Sequence, residues 1–149
     1  MRKGELENLE WSDIDLKRRK ISIRAKEFWH PKTGEREIPI NDQLFELLSR
    51  LRKKKPRSRE TDFVFIDRDG SQLKTKLREA MIKVAKKAGI ENLTTLHALR
   101  HTFASHLIMN GVDLPTVQKL MGHTDIQVTM IYAHLAQDHL NEAVNKLDF

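Results

Sequence analysis

The apolar positions of this chain switch period several times, and each switch marks an element. Residues 3–10 place Leu6 and Leu9 at helical spacing, and Trp11-Ser12-Asp13-Ile14-Asp15 breaks that pattern into a turn. Ile21 and Ile23 alternate with Ser22 and Arg24, and residues 36–40 alternate in the same way. Two strands are therefore predicted, joined through a wide tip that contains Pro31-Lys32-Thr33-Gly34. Asn41 is placed to cap a helix whose Leu44, Leu47, Leu48 and Leu51 make one stripe, running out in Lys53-Lys54-Lys55 before Pro56. A loop over 55–61 follows.

The second half reads as mostly helical. Phe63-Val64-Phe65-Ile66 predicts a short strand entering the turn Asp67-Arg68-Asp69-Gly70. A helix over about 73–87 turns Leu77, Met81, Val84 and Ala85 inward and stops at Gly89. Thr94 or Thr95 opens a helix over 96–109 that ends at Asn110-Gly111, and Asp113 with Pro115 opens another that ends at Gly122. Thr124 and Gln127 have the spacing of a capping box for a third, and 136–147 predicts a last amphipathic segment with Leu140, Ala143, Val144 and Leu147 on one side. The fold class expected is α+β and mainly α-helical, with a small antiparallel sheet.

Composition narrows the partners. A chain of 149 residues with 39% hydrophobic content suits one compact domain that buries a core without cross-links. A net charge of +6 favours polyanions, nucleic acid being the commonest. The absence of cysteine excludes disulfides and thiolate metal sites, and no apolar run approaches the ~18 residues that span a bilayer. The opening Met1-Arg2-Lys3-Gly4-Glu5-Leu6 has no apolar segment after its charges, so it does not read as a signal peptide, and a cytoplasmic protein without membrane contact is expected.

The candidate chemistry centres on Tyr132, the only tyrosine, preceded by His97, Arg100 and His123. His97 and Arg100 are three apart on one predicted helix and share a face, so both can reach one bound group. An arginine fork matches phosphate oxygens in pairs and keeps its charge, as a doubly negative pentacovalent transition state requires. Arg2 and Arg100 are the candidates. A tyrosine hydroxyl has an ordinary pKa near ~10 and needs nearby cations or a base before it can attack phosphorus. The leaving 5′-oxygen needs a proton, and a lysine on a hairpin tip, Lys32, can supply it. Cations that neutralise a phosphate, with one phenol that can attack it, point to metal-free phosphodiester chemistry. His97 and His101 also have the spacing of two zinc ligands on a helix, but the hydrolytic motif needs Glu after the first His and this chain has Ala98, so no metal or other cofactor is expected. His101 is expected to pack on or bond to a neighbouring helix.

Several ordered motifs together carry a resemblance: Arg-Lys-Gly-Glu-Leu at 2–6, then Leu9, Trp11, Asp13 and Ile14, then Pro-Lys-Thr-Gly with Arg36 and Pro39. His-Ala-Leu-Arg-His-Thr-Phe-Ala-Ser at 97–105, Leu-Met-Gly-His at 120–123 and Tyr132 complete it. The chain resembles the catalytic domain of tyrosine recombinases, the phage-integrase family, over nearly its whole length. The resemblance implies Arg2, His97 and Arg100 as phosphate ligands, with His97 also a candidate acid or base, and His123 as a further donor. It implies Lys32 as general acid, with Lys26 on the preceding strand as the alternative. Tyr132 becomes the nucleophile that forms a 3′-phosphotyrosyl link, and Glu5 the acidic residue that supports the hydrogen bonds of the site. Family members carry residues ahead of the first arginine, including a separate DNA-clamping domain, so a C-terminal fragment is implied.

The resemblance also implies double-stranded DNA as partner and a homotetrameric synapse in which the last helix docks on its own core or on the next protomer. In a prokaryote this places it at the nucleoid. Lys53, Lys54, Lys55, Arg57 and Arg59 are candidate DNA-backbone contacts, weighed against an ordinary solvated helix end; such contacts bring salt sensitivity without sequence preference. Two rivals stand beside a recombinase: a DNA-binding piece without chemistry of its own, and a relaxing enzyme of the type IB topoisomerase kind.

Overall fold

The computed structural model describes residues 1–54, 62–67, 70–73, 77–139 and 144–145. Apart from Met1 the chain divides into two units, Arg2–Glu91 and Asn92–Phe149.

The first unit is built on a three-stranded antiparallel sheet in the order β1 (Ile14–Asp15), β2 (Lys20–Ile23), β3 (Arg36–Pro39). Ile21 faces Ile14 on one side and Ile38 on the other, so the apolar alternation sets the register of all three strands. Ile14, Ile21 and Ile23 are buried with Leu9 and Trp11. Helix α1 (Lys3–Glu7) precedes the sheet, followed by a 3-10 turn over Trp11–Asp13. Helix α2 (Asp42–Lys54) follows the sheet, and the Asn41 side chain accepts from the Leu44 amide at 2.9 Å, the predicted cap. Helix α3 (Leu77–Lys87) ends at Gly89, whose φ of 74° is the left-handed conformation that glycine tolerates.

Several expectations change here. Ile14–Asp15 pairs as a strand where the pattern predicts only a turn, because two residues leave no visible alternation. The segment 63–66 forms no strand; Phe63 and Ile66 each make one isolated bridge, to Glu10 and Gln72. Helix α1 stops at Glu7, so Leu9 is buried from the connection and not from the helix. The leucine stripe of α2 buries only Leu48, leaving Leu47 57% exposed, and Val84 of α3 is 67% exposed.

The second unit is helical: α4 (Leu96–Met109), α5 (Leu114–Met121), the single turn α6 (Gln127–Met130) and a 3-10 segment over Ala133–His139. Ala104 and Ile108 of α4, Val117 and Met121 of α5, and Tyr132 form its core. Asp113 caps α5 by accepting from the Thr116 amide at 2.8 Å, with Pro115 in the first turn, as predicted. The capping box expected of Thr124 and Gln127 does not form. Ile126 sits at the N-cap, and the Gln127 amide donates to Asp125 at 2.9 Å instead. Thr95 likewise precedes α4 without a side-chain capping bond. The last amphipathic segment falls mostly outside the described residues, which show a 3-10 segment at its start.

Candidate active site

The predicted site residues divide between the units, three in the first and four in the second. In the first unit Glu5 is the hub. Its side chain is only 2% exposed, and both oxygens accept from the Arg36 guanidinium, at 3.0 Å from Nη1 and 2.8 Å from Nη2. The Arg2 amide donates to the same carboxylate at 2.7 Å, and the Arg2 guanidinium approaches it at 3.4 Å. Burial pushes the Glu5 carboxyl up, but the hydrogen bonds from Arg36 and from the Arg2 amide, together with the Arg36 charge, outweigh it. Its pKa therefore lies below the ordinary carboxylate value. The Arg2 Nη1 also donates to the Thr33 hydroxyl at 2.7 Å, so the hairpin tip helps to aim the guanidinium.

Lys32 lies next to Thr33 and is exposed. Lys26, beyond β2, is held instead. Its Nζ lies 2.5 Å from the Asn8 carbonyl, 2.7 Å from Asp13 and 3.0 Å from Glu10. Asp13 is buried and also accepts from Arg24 Nε at 2.7 Å. Sequence reasoning used Arg36 and Asp13 only as motif letters. Their ion-pair roles depend on partners 31 and 11 residues away that no local pattern links.

In the second unit, α4 presents His97 and Arg100 one turn apart. His97 is exposed, whereas Arg100 is buried and donates through Nη2 to the Met121 carbonyl at the end of α5. Gly122 ends α5 at φ 64°, and the His123 amide closes back on the Gln118 carbonyl at 3.1 Å, the bond that completes a glycine-terminated helix. The His123 Nδ1 pairs with the hydroxyl of fully buried Thr129 at 2.9 Å, and Gln118 donates to its carbonyl at 3.1 Å. His123 is thus fixed by a helix end and by Thr129, not by the predicted capping box.

Tyr132 lies in the turn after α6, its amide bonded to the Thr129 carbonyl at 3.0 Å, and not two and a half turns along a helix. Tyr132 is 5% exposed and packs in the core, while its hydroxyl reaches exposed His101, 2.5 Å from Nδ1. Burial raises the phenol above its ordinary pKa, and the Arg100 charge works in the opposite direction. His101, expected to pack on or bond to a neighbouring helix, bonds instead to the one phenol, in the turn after α6.

Lys53 and Lys54 are exposed in the last turn of α2; Lys55, Arg57 and Arg59 lie outside the described residues. Among the described residues no three His, Cys, Asp or Glu side chains gather as a metal site. None of the described helices is long and apolar enough to cross a membrane.

Residues 1–139 match the family model described as the phage integrase family. The chain belongs to that family. Its relatives include tyrosine recombinase XerC of Oceanobacillus iheyensis, 35% identical over 98% of this chain and 48% of the relative. Tyrosine recombinase XerD of Staphylococcus aureus is 32% identical over 98% of this chain and 50% of the relative. The chain thus spans about half the length of the curated relatives it matches. Among solved structures it is similar to XerA recombinase, with a TM-score of 0.78 and 30% identity over 99% of this chain and 53% of that one. It is also similar to XerH recombinase bound to a palindromic difH substrate, with a TM-score of 0.73 and 27% identity over 98% and 42%. These neighbours confirm the fold class, a mainly helical α+β domain with a small antiparallel sheet.

Proposed function

We propose that this integrase-family chain is the catalytic part of a site-specific DNA recombinase that cuts and rejoins strands through a 3′-phosphotyrosyl intermediate. The observation that carries the reading is the setting of Tyr132: its phenol is hydrogen-bonded to a histidine and feels the Arg100 charge, while its side chain packs in the core of its unit. Attack by the phenolic oxygen on phosphorus forms the phosphotyrosyl ester and breaks the bond to the 5′-oxygen, which leaves as a hydroxyl after taking a proton. The bond energy is retained for rejoining, so neither ATP nor a metal is required.

Arg2, His97, Arg100 and His123 act as donors to the phosphate, strengthening as charge builds on its oxygens. Glu5 supports Arg2. Lys32 protonates the leaving oxygen; its support is its place beside Thr33, the residue that bonds Arg2. Lys26 is the competing lysine, and its support is that Asp13 and Glu10 fix its ammonium in place. The partner is double-stranded DNA, and the working assembly is a homotetramer on it, in the cytoplasm and, in a prokaryote, at the nucleoid. The DNA-bound structures of its neighbours support the choice of partner.

A nicked suicide duplex tests the reading. The chain should form a denaturant-stable covalent adduct, and Tyr132→Phe should bind the duplex as tightly yet form none. Binding without an adduct from the unaltered chain would leave only a DNA-holding role, and relaxation of supercoils without recombinant product would favour a topoisomerase. A 5′-thiolate leaving group needs no proton, so it should restore whichever lysine variant, Lys32→Ala or Lys26→Ala, has lost the acid.

A further inference from the structure

His101 has no part in the roles proposed above, yet among the described residues it is the side chain hydrogen-bonded to the nucleophile candidate. It lies one helical turn beyond His97, and the two rings meet edge to face with centroids 5.3 Å apart. Its ring sits 5.8 Å from that of Tyr132, and its Nδ1 is 2.5 Å from the phenolic oxygen. Among the described residues Tyr132 and His97 are the titratable groups its ring meets, while Arg100, its neighbour in sequence, is turned to the end of α5.

We propose that His101 is the base that takes the phenolic proton of Tyr132 as the oxygen attacks phosphorus. This rests on the phosphotyrosyl reading above. In the resting state the Tyr132 O–H donates to Nδ1 and the ring proton sits on Nε2. As the new P–O bond forms, the proton moves to Nδ1, and the bond to the 5′-oxygen breaks with that oxygen protonated by the lysine. Three observations converge on this step. The contact is already at the distance a proton transfer needs. The phenol is buried, so bulk water is a poor competitor as base. The imidazole is exposed, so the proton can pass on to solvent. His97, one turn away, remains available to the phosphate.

The test is the pH dependence of adduct formation on the suicide duplex by the full chain, compared with His101→Ala and His101→Gln. The glutamine offers an acceptor oxygen but cannot hold the proton. Both variants should bind the duplex as wild type does and form adduct about 10²-fold more slowly near neutral pH, the usual contribution of a positioned base. The deficit should narrow roughly tenfold per pH unit in alkaline buffer below the phenol's pKa, because the fraction of phenol that ionises unaided rises tenfold per unit there and no longer needs a base. A deficit that stays constant with pH would reveal a merely structural role and overturn the proposal. So would variants as fast as wild type, while faster variants would show that the contact restrains the nucleophile. Absence of adduct from the wild-type chain is a separate outcome that removes the phosphotyrosyl reading itself, and this assignment with it.

Discussion

Glu5 and Arg36 form a two-pronged ion pair across 31 residues of sequence, each carboxylate oxygen matched to one guanidinium nitrogen at 3.0 and 2.8 Å. Planar groups in that register hold each other in orientation as well as position. Because the Arg2 amide and guanidinium share the same carboxylate, the pair fixes the strand-to-helix geometry on which the Arg2 side chain depends. Arg36→Ala leaves a nearly fully buried carboxylate with one strong partner removed. It should cost on the order of 3 kcal/mol, the usual result of breaking a buried pair from one side. Urea unfolding midpoints of Arg36→Ala and wild type measure it, and Arg36→Lys should recover only part because an ammonium cannot make both bonds.

The same carboxyl sets an acid limb. Its folded pKa lies below the unfolded value, which is near ~4.3 for glutamate. The unfolded chain therefore binds the proton first as pH falls, and the stability that Glu5 contributes is complete above about pH 4.3 and is lost as pH falls through the folded pKa. Glu5→Gln should be less stable than wild type near neutrality, and the gap should close steadily in acid. A gap that is independent of pH below about 5 would show that Glu5 works by packing and not by charge.

Much of the second unit was legible because its signals are local. Asp113, Pro115 and Gly122 mark the ends of α5 through backbone chemistry that one or two residues decide. The ends of α5 fell where expected for that reason. What escaped depended on contacts between distant residues. Strand β1 is two residues long and exists through its pairing with β2. Lys26 is tied down by three acceptors 13 to 18 residues upstream. The Thr124-Gln127 spacing fits a capping box, but the Gln127 amide donates to Asp125, and α6 is a single turn. Tyr132 and His101 are 31 apart, so their bond has no counterpart in any sequence window.

Gly122 should tolerate a side chain poorly. Its φ of 64° places the chain in the left-handed region, and the turn it makes lets the His123 amide close on Gln118 while the Met121 carbonyl meets Arg100. Gly122→Ala should cost about 1 kcal/mol in stability, the usual penalty for a side chain in that conformation. Because Arg100 and His123 are both anchored at this junction, the loss in adduct rate should exceed what the unfolded fraction accounts for. Comparing rate per folded molecule with the unfolding midpoint separates the two.

Tyr132 should in turn make the chain alkali-sensitive in a way that can be read directly. Burial holds its folded pKa above the ordinary ~10, with the Arg100 charge only partly offsetting it. The folded phenol therefore keeps its proton at a pH where the unfolded one has released it. The associated stability is fully present below about pH 10 and declines as pH rises towards the folded pKa. Tyr132 is the only tyrosine, so tyrosinate absorbance during an alkaline titration reports this group alone. The absorbance midpoint should lie above that of a free tyrosine and fall back to it in urea. Over the same pH range wild type should lose stability relative to Tyr132→Phe, because a phenylalanine has no proton to retain. A native midpoint at or below that of free tyrosine would mean that the Arg100 charge, and not burial, governs the nucleophile.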